Sequence, residues 1–377
     1  MVQFRNRGGL LMPRNSAGNE RVRRCSIAGI FAAFLGALLL PAVIVQDIYA
    51  EHAVPMTSTG LDPDLAKYAP ESQDAGSLIV EGSDTMQQLM SRLAAEFRRR
   101  QPDVKIAVQG GGSSKALAEF IKPAELPGRI YADTESQNRV QLIAASREMT
   151  DTEIKQFVAR HGYEPTAIPV AVDAVAIYVH KDNPLLGLTL DQADAIFSIT
   201  RNRGSKVEIR QWGQLGLSSE WGKASISLYG RNRKSGTREF FMDHVLGGGE
   251  FAPNLEEQPG SASVILALSR DRLGIGYSGI GWQASTVRVV PLAEAEGAPF
   301  ILPTTATIAD HSYPLHRILY LYMDKSPRTS FAKAAREFLA FINSREGQEA
   351  VMKAGFFPLP ATQIQKTLLA LSAPPPR

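Results

Sequence analysis

Four short stretches set hydroxyls and glycines where an apolar strand would hand over to a helix. They are Gly82-Ser83-Asp84-Thr85, the GGGSS run Gly110 to Ser114, Ala145-Ser146-Arg147, and the run GRNRKSGT from Gly230 to Thr237. Such turns can hold an anion. The first turn of a helix leaves up to about four backbone N–H groups unpaired and carries roughly half a positive charge. Glycine lets the backbone come close to a ligand, and Ser and Thr hydroxyls add donors. An oxyanion fits such a place without a strongly basic protein around it. Arg231, four positions ahead of Ser235, adds a planar fork suited to phosphate-like oxygens, while Arg233 and Lys234 read as surface cations. Any one of these turns is also an ordinary helix cap. Four of them, three early and one later in the chain, point to a shared site.

The elements that must position these turns are legible around them. Residues 77–80 (SLIV), 104–109 (VKIAVQ) and 140–145 (VQLIAA) are apolar strands, and each ends at one of the first three turns. Helical spacing follows the first in Met86, Leu89, Met90, Leu93 and Phe97. Thr150 with Glu153 makes a capping box for the helix after the third strand. A second unit opens with the extended run 168–185, continues through a helix at 190–197 and a strand at 226–229, and reaches GRNRKSGT as another strand-to-helix turn. After LGIGYSGIGW (273–282), further strands are expected near 286–291 and 317–323, then two helices. This alternation predicts an α/β fold whose mostly parallel sheets are flanked by helices, with ligands at the carboxyl ends of the strands.

Composition narrows the class. The chain has 377 residues, 44% apolar and 21% charged, with a formal charge of +3. Six arginines in residues 1–50, against Glu20 and Asp47, carry more than that surplus and leave residues 51–377 slightly acidic. A nucleic-acid binder would keep its positive charge in the folded part, so that class is set aside. The basic start precedes Ile27–Val45, nineteen uncharged residues, and then Ala50. This is the pattern of a secretory signal peptide, with an uncleaved membrane anchor as the alternative. The single cysteine, Cys25, precedes the apolar run, so no disulfide, thiolate ligand or cysteine nucleophile is expected beyond it. The six histidines lack metal-ligand spacing, GYSGIG is not a nucleophile elbow, and GRNRKSGT has the wrong order for a nucleotide P-loop. Neither a metal nor another cofactor is expected, nor an enzyme.

The motifs GSDTM, GGGSS, ASREMTDTE, YGRNRKSGT, GIGYSGIG, YLYMDK and FINSREGQEAVMKAGFFPLP, spread over most of residues 77–360, resemble those of the PstS-type phosphate-binding proteins of bacterial ABC importers. The resemblance implies a type II periplasmic binding-protein fold: two lobes joined by a hinge, closing on a phosphate ion. Position by position it implies a first binding turn at Thr85 and the Met86 amide, with Ser83 beside them. A second falls at Ser113 and Ser114, and the remaining ligands at Arg231, Ser235, Gly236 and Thr237. Better-known members carry an aspartate after the third strand that accepts the proton of phosphate. Here that position falls on Ser146 or Arg147, and Asp84 or Asp173 is the candidate replacement. Phosphate is therefore the first ligand expected, with sulfate, tungstate or an organic phosphate as alternatives. An exported phosphatase-like or adhesion protein is the alternative outside the binding class.

The expected organisation follows: a leader at 1–50, a linker at 51–76, one lobe from 77–168 plus 285–360, the other from 169–284, and a loose tail at 361–377. Crossovers near 166–172 and 283–290 would be the hinge. The chain is expected in the periplasm as a monomer, with an ABC permease of the inner membrane as partner.

Overall fold

The computed structural model describes residues 60–71, 75–122 and 139–372, so the expected leader lies outside the described residues. The first strands are β1 (Gly76–Gly82), β2 (Val104–Gln109) and β3 (Arg139–Ala145). They pair in parallel with β1 in the middle. Each feeds a helix: α1 (Gln87–Arg98), α2 (Ser113–Ile121) and α3 (Asp151–His161). The buried face of α1 is Leu89, Met90, Leu93, Ala94 and Phe97, the stripe that the apolar spacing predicts. Thr150 and Glu153 form the expected reciprocal capping box at α3.

The fifteen-residue strand β4 (Thr166–His180) then runs into a second set of elements. These are β5 (Leu188–Thr189), α4 (Leu190–Phe197), β6 (Ser227–Arg231), α5 (Gly236–His244), β7 (Leu255–Gln258), α6 (Ser261–Leu268), β8 (Gly274–Gly279), β9 (Val287–Val289), β10 (Leu292–Ala293) and α7 (Thr305–Ala309). The chain returns through β11 (His316–Met323) and ends in α8 (Lys333–Ile342), α9 (Arg345–Lys353) and α10 (Ala361–Ser372). One sheet runs in the order β2-β1-β3-β11-β4-β8-β6-β7, with β9 on β4. Its two ends are parallel, and β11 and β4 join them by antiparallel pairing.

Two large apolar cores lie along this sheet, with a smaller cluster around Phe120, Ile143 and Phe157 beside them. The first gathers Leu78, Val80, Phe97, Leu142, Val170, Leu319, Phe338 and Phe341. The second gathers Ala174 through Val179, Phe197, Trp212, Phe241, Ile275, Tyr277, Val290 and Tyr313. β4 serves both, giving Ile168, Val170 and Ala171 to the first and Ala174 onward to the second. Residues 285–315, grouped from sequence with the first unit, pack in the second core, because β9 pairs with Tyr178–His180 and Val290, Leu292 and Leu315 fill that interior. The chain crosses back only at β11.

Two stretches expected to be loose are packed. In place of a free tail, α10 buries Ile364 and Leu371. In place of a linker, residues 60–71 are tied to the C-terminal helices. Asp62 Oδ2 accepts from the Ala361 amide (2.9 Å), Tyr68 Oη donates to Glu337 (2.6 Å), and the Arg345 amide donates to Ala66 O (2.8 Å). Among the described residues no helix is long and apolar enough to cross a membrane.

Candidate anion-binding site

The polar turns meet because backbone geometry stitches them. Gly82 has φ +131°, and a Cβ there would lie 2.4 Å from Ala144 O, so only glycine lets the turn after β1 lie against β3. The Ser83 amide donates to Ala144 O (2.9 Å) and the Gly112 amide to Gly82 O (2.7 Å), drawing together the ends of β1, β2 and β3. The fourth turn comes from the other core. A Cβ on Gly112 would lie 2.1 Å from Lys234 O, and one on Gly236 would lie 2.9 Å from Ser113 Cβ and 3.0 Å from Ser146 Oγ.

The side chains form two hydrogen-bonded groups that lie on either side of Gly236 and Thr237. Thr85 and Thr237 share a hydrogen bond between hydroxyls (2.9 Å), as do Ser113 and Ser146 (3.1 Å). Arg231 donates through Nη1 to Ser261 Oγ (2.8 Å) and Thr85 Oγ1 (3.4 Å), and through Nη2 to Asp84 Oδ2 (3.0 Å). Arg317 donates through Nη2 to Thr237 Oγ1 (2.9 Å) and, through Nε and Nη2, to Asp173 Oδ2 (3.0 and 2.7 Å). Arg231, Asp173 and Thr237 are wholly buried, and Thr85, Ser113, Ser146 and Ser235 nearly so.

Several polar atoms here are buried with no hydrogen-bond partner: Nε of Arg231, Nη1 of Arg317, Oδ1 of Asp173 and Oγ of Ser114. Burial presses both guanidinium pKa values down, and Asp84 and Asp173 oppose it. Burial pushes the Asp173 carboxyl up, and the charge and hydrogen bonds of Arg317 hold it back. Each arginine thus carries one carboxylate counter-ion. Within each of the two ion pairs the charges offset, so an anion here is held by hydrogen-bond donors, which count for more in a dry setting than in water.

The other residues singled out from sequence are placed differently. Ser235 caps α5 by accepting from the Thr237 amide (3.2 Å). The Met86 amide is engaged inside its own turn by Ser83 O (3.1 Å) and Oγ (3.3 Å). Arg147 is held by carboxylates: Nη1 and Nη2 donate to Glu153 (2.7 and 2.8 Å) and Nε to Glu239 of α5. Two members of the cluster were not anticipated. Ser261 stands in a fifth strand-to-helix turn, QPGSAS, of the same composition as the other four. Arg317 interrupts the apolar strand HRILYLYM, and a lone cation in such a strand is the signal that could have marked it.

Against known proteins, the model of the PBP superfamily domain matches residues 68–346. The phosphate-binding protein PstS of Pseudomonas aeruginosa is 43% identical over 311 residues, which is 82% of this chain and 92% of that protein. PstS of Bacillus subtilis is 26% identical over 291 residues, 77% of this chain and 83% of that one. The chain belongs to the PBP superfamily and, within it, to the family of the PstS proteins. Solved structures agree on the fold. A phosphate ABC transporter substrate-binding protein from Clostridium perfringens, solved with bound phosphate, has a TM-score of 0.60 at 23% identity and covers 75% of this chain and 100% of its own. An ABC-type phosphate transport receptor from Vibrio cholerae gives 0.54 at 21% identity, with coverage of 75% and 100%.

Proposed function

We propose that this chain is a non-catalytic solute-binding protein. It captures inorganic phosphate between two lobes, one built on each core, and delivers it to an ABC permease. The single observation that carries the reading is the wholly buried Arg231, which donates to Thr85 from the turn after β1 and to Ser261 from the turn after β7. Asp84 meets one end of its guanidinium, while Nε is buried without a partner and is left as a donor for an incoming anion. Micromolar binding corresponds to about −8 kcal/mol. Hydrogen bonds to a charged group contribute about 1.5–3 kcal/mol each, so this set suffices with none of the hydroxyls decisive.

The ligand set proposed is Ser83, Thr85, Ser113, Ser114, Ser146, Arg231, Ser235, Gly236 and Thr237, with the Met86 amide, taken up by Ser83, holding the first turn in shape. Arg147 serves the same closure from outside, bridging α3 to α5 through Glu153 and Glu239. Export follows from the basic and apolar leader, which would put the working protein, cleaved or anchored, in the periplasm, and a monomer is the proposed state.

Ser146, where the family's aspartate is expected, favours a second reading in which another oxyanion is the ligand. Calorimetric titration with phosphate, sulfate, tungstate and a phosphate monoester separates the two. Phosphate is expected to bind at micromolar concentration and the others more weakly. A preference for sulfate or tungstate selects the second reading, and no binding by any of them refutes both.

A further inference from the structure

Outside the anion site the structure brings two histidines together. α7 ends at Ala309, and the chain turns through residues 310–315 before β11 begins at His316. His311 takes φ +59°, the left-handed conformation in which helices commonly end, and its ring centroid lies 4.8 Å from that of His316. His311 Nδ1 and His316 Nε2 are 2.9 Å apart. His311 is exposed and His316 half-buried. The turn that carries them is held firmly. Asp310 Oδ1 accepts from the Ser312 amide (2.9 Å), the Tyr313 amide donates to Thr307 O (2.9 Å), and the buried Tyr313 Oη donates to Val175 O (3.0 Å).

The protons of the pair follow from its partners. A carbonyl oxygen can only accept, so the 2.7 Å contact of His316 Nδ1 with Tyr313 O puts the hydrogen on Nδ1 and leaves the Nε2 lone pair facing His311. A carbonyl behind the far ring nitrogen is what fixes the tautomer and aim of metal-binding histidines. His311 Nδ1 lends the hydrogen between the two rings. With that hydrogen moved to its own Nε2, two lone pairs converge on one point. Nitrogens about 2.0–2.1 Å from an ion stand about 2.8–3.0 Å apart at a right angle and about 3.3–3.4 Å apart at a tetrahedral one. The observed spacing is that of neighbouring corners of a square.

We propose that His311 and His316 form a site for a divalent transition metal that favours square-planar nitrogen ligation, copper first and nickel next. Among the described residues no group of three or more His, Cys, Asp or Glu side chains gathers for a metal, so water fills the remaining positions of the ion. The ion takes the place of the shared hydrogen and ties the end of α7 to the head of β11. Neither imidazole is hydrogen-bonded to the anion cluster, so the site does not rest on the phosphate reading. Five positions apart, the two residues share no face of a helix or a strand, which is why their spacing conceals them.

The test uses the full chain in phosphate-free buffer, in a Cys25→Ser, His52→Gln background so that no thiol or imidazole near the start competes. Calorimetry should find one Cu2+ per chain, half-saturated at or below about 10 μM, with Ni2+ weaker. Electron paramagnetic resonance of the Cu2+ form should show an axial signal split by two imidazole nitrogens. His311→Gln and His316→Gln should each weaken Cu2+ binding at least about tenfold, with urea midpoints showing that the variants are folded. Absence of saturable Cu2+ binding in the parent chain overturns the proposal and needs no histidine variant to fold. So does a signal split by fewer than two nitrogens, or an unchanged affinity in the folded His311→Gln, His316→Gln double variant.

Discussion

At the scale of single residues, Arg231 does two things, and its loss should show both. It supplies a cation to the anion cluster and neutralises Asp84 (3.0 Å). Arg231→Ala is expected to weaken phosphate binding by about 10- to 100-fold, the value of one charge-assisted hydrogen bond. Arg231→Lys should recover only part, because an ammonium cannot span Ser261 and Asp84 as the planar fork does. Calorimetry on both variants checks this, and unchanged affinity in Arg231→Ala removes it from the site. Arg231 was legible in the sequence because Ser235-Gly236-Thr237 follow it closely. Arg317 was not, because its counter-ion Asp173 is 144 positions away and no local pattern links the two. For the same reason Arg231 alone looked like the charged member of the set, when two arginines stand there.

Among the elements, the contact between the turn after β2 and the turn before α5 depends on Gly112. Its φ is +94°, and a Cβ would meet Lys234 O at 2.1 Å. Neighbouring Gly111 has φ +135° and open space around it. Alanine at Gly111 should therefore cost only backbone strain, about 1–3 kcal/mol of stability. Alanine at Gly112 should cost that strain and also force the two turns apart, so phosphate affinity falls by at least about tenfold relative to Gly111→Ala. Equal affinities in the two variants would show that the turns need not touch for binding. The helices behind these turns could be read from apolar spacing and from caps such as Thr150 with Glu153. The strap at 60–71 and helix α10 could not. The strap has no periodicity of its own and is ordered by partners such as Glu337, Arg345 and Ala361, far along the chain. The Pro-rich end beyond α10 made the whole segment look unstructured.

Across the molecule, acid should loosen what the strap and α3 hold. Asp62 lies below its ordinary 3.8 because the Ala361 and Asp64 amides bind it. Burial alone would raise Glu153, but Arg147 and the Thr150 amide outweigh it and hold it below 4.5. A carboxyl lowered in the folded state stabilises fully above its unfolded pKa and loses that stabilisation as pH falls through the folded value. Urea midpoints should therefore be nearly level from about pH 7 to 5 and drop below about pH 4, less steeply in Asp62→Asn. The two cores were foreshadowed by the alternation of strands and helices. The place of the return crossing was not, because the short strand at Val287–Val289 looks the same in sequence whichever core receives it. That crossing, β11, is hydrogen-bonded to β4 along Thr166–Ala174, with a register slip at Leu319/Tyr320. On the two-lobe reading proposed above, release of a captured ion would flex a shared ladder and not swing on a slack loop. With the slip as its point of give, the gape on that reading should be shallow and self-restoring, like a leaf spring.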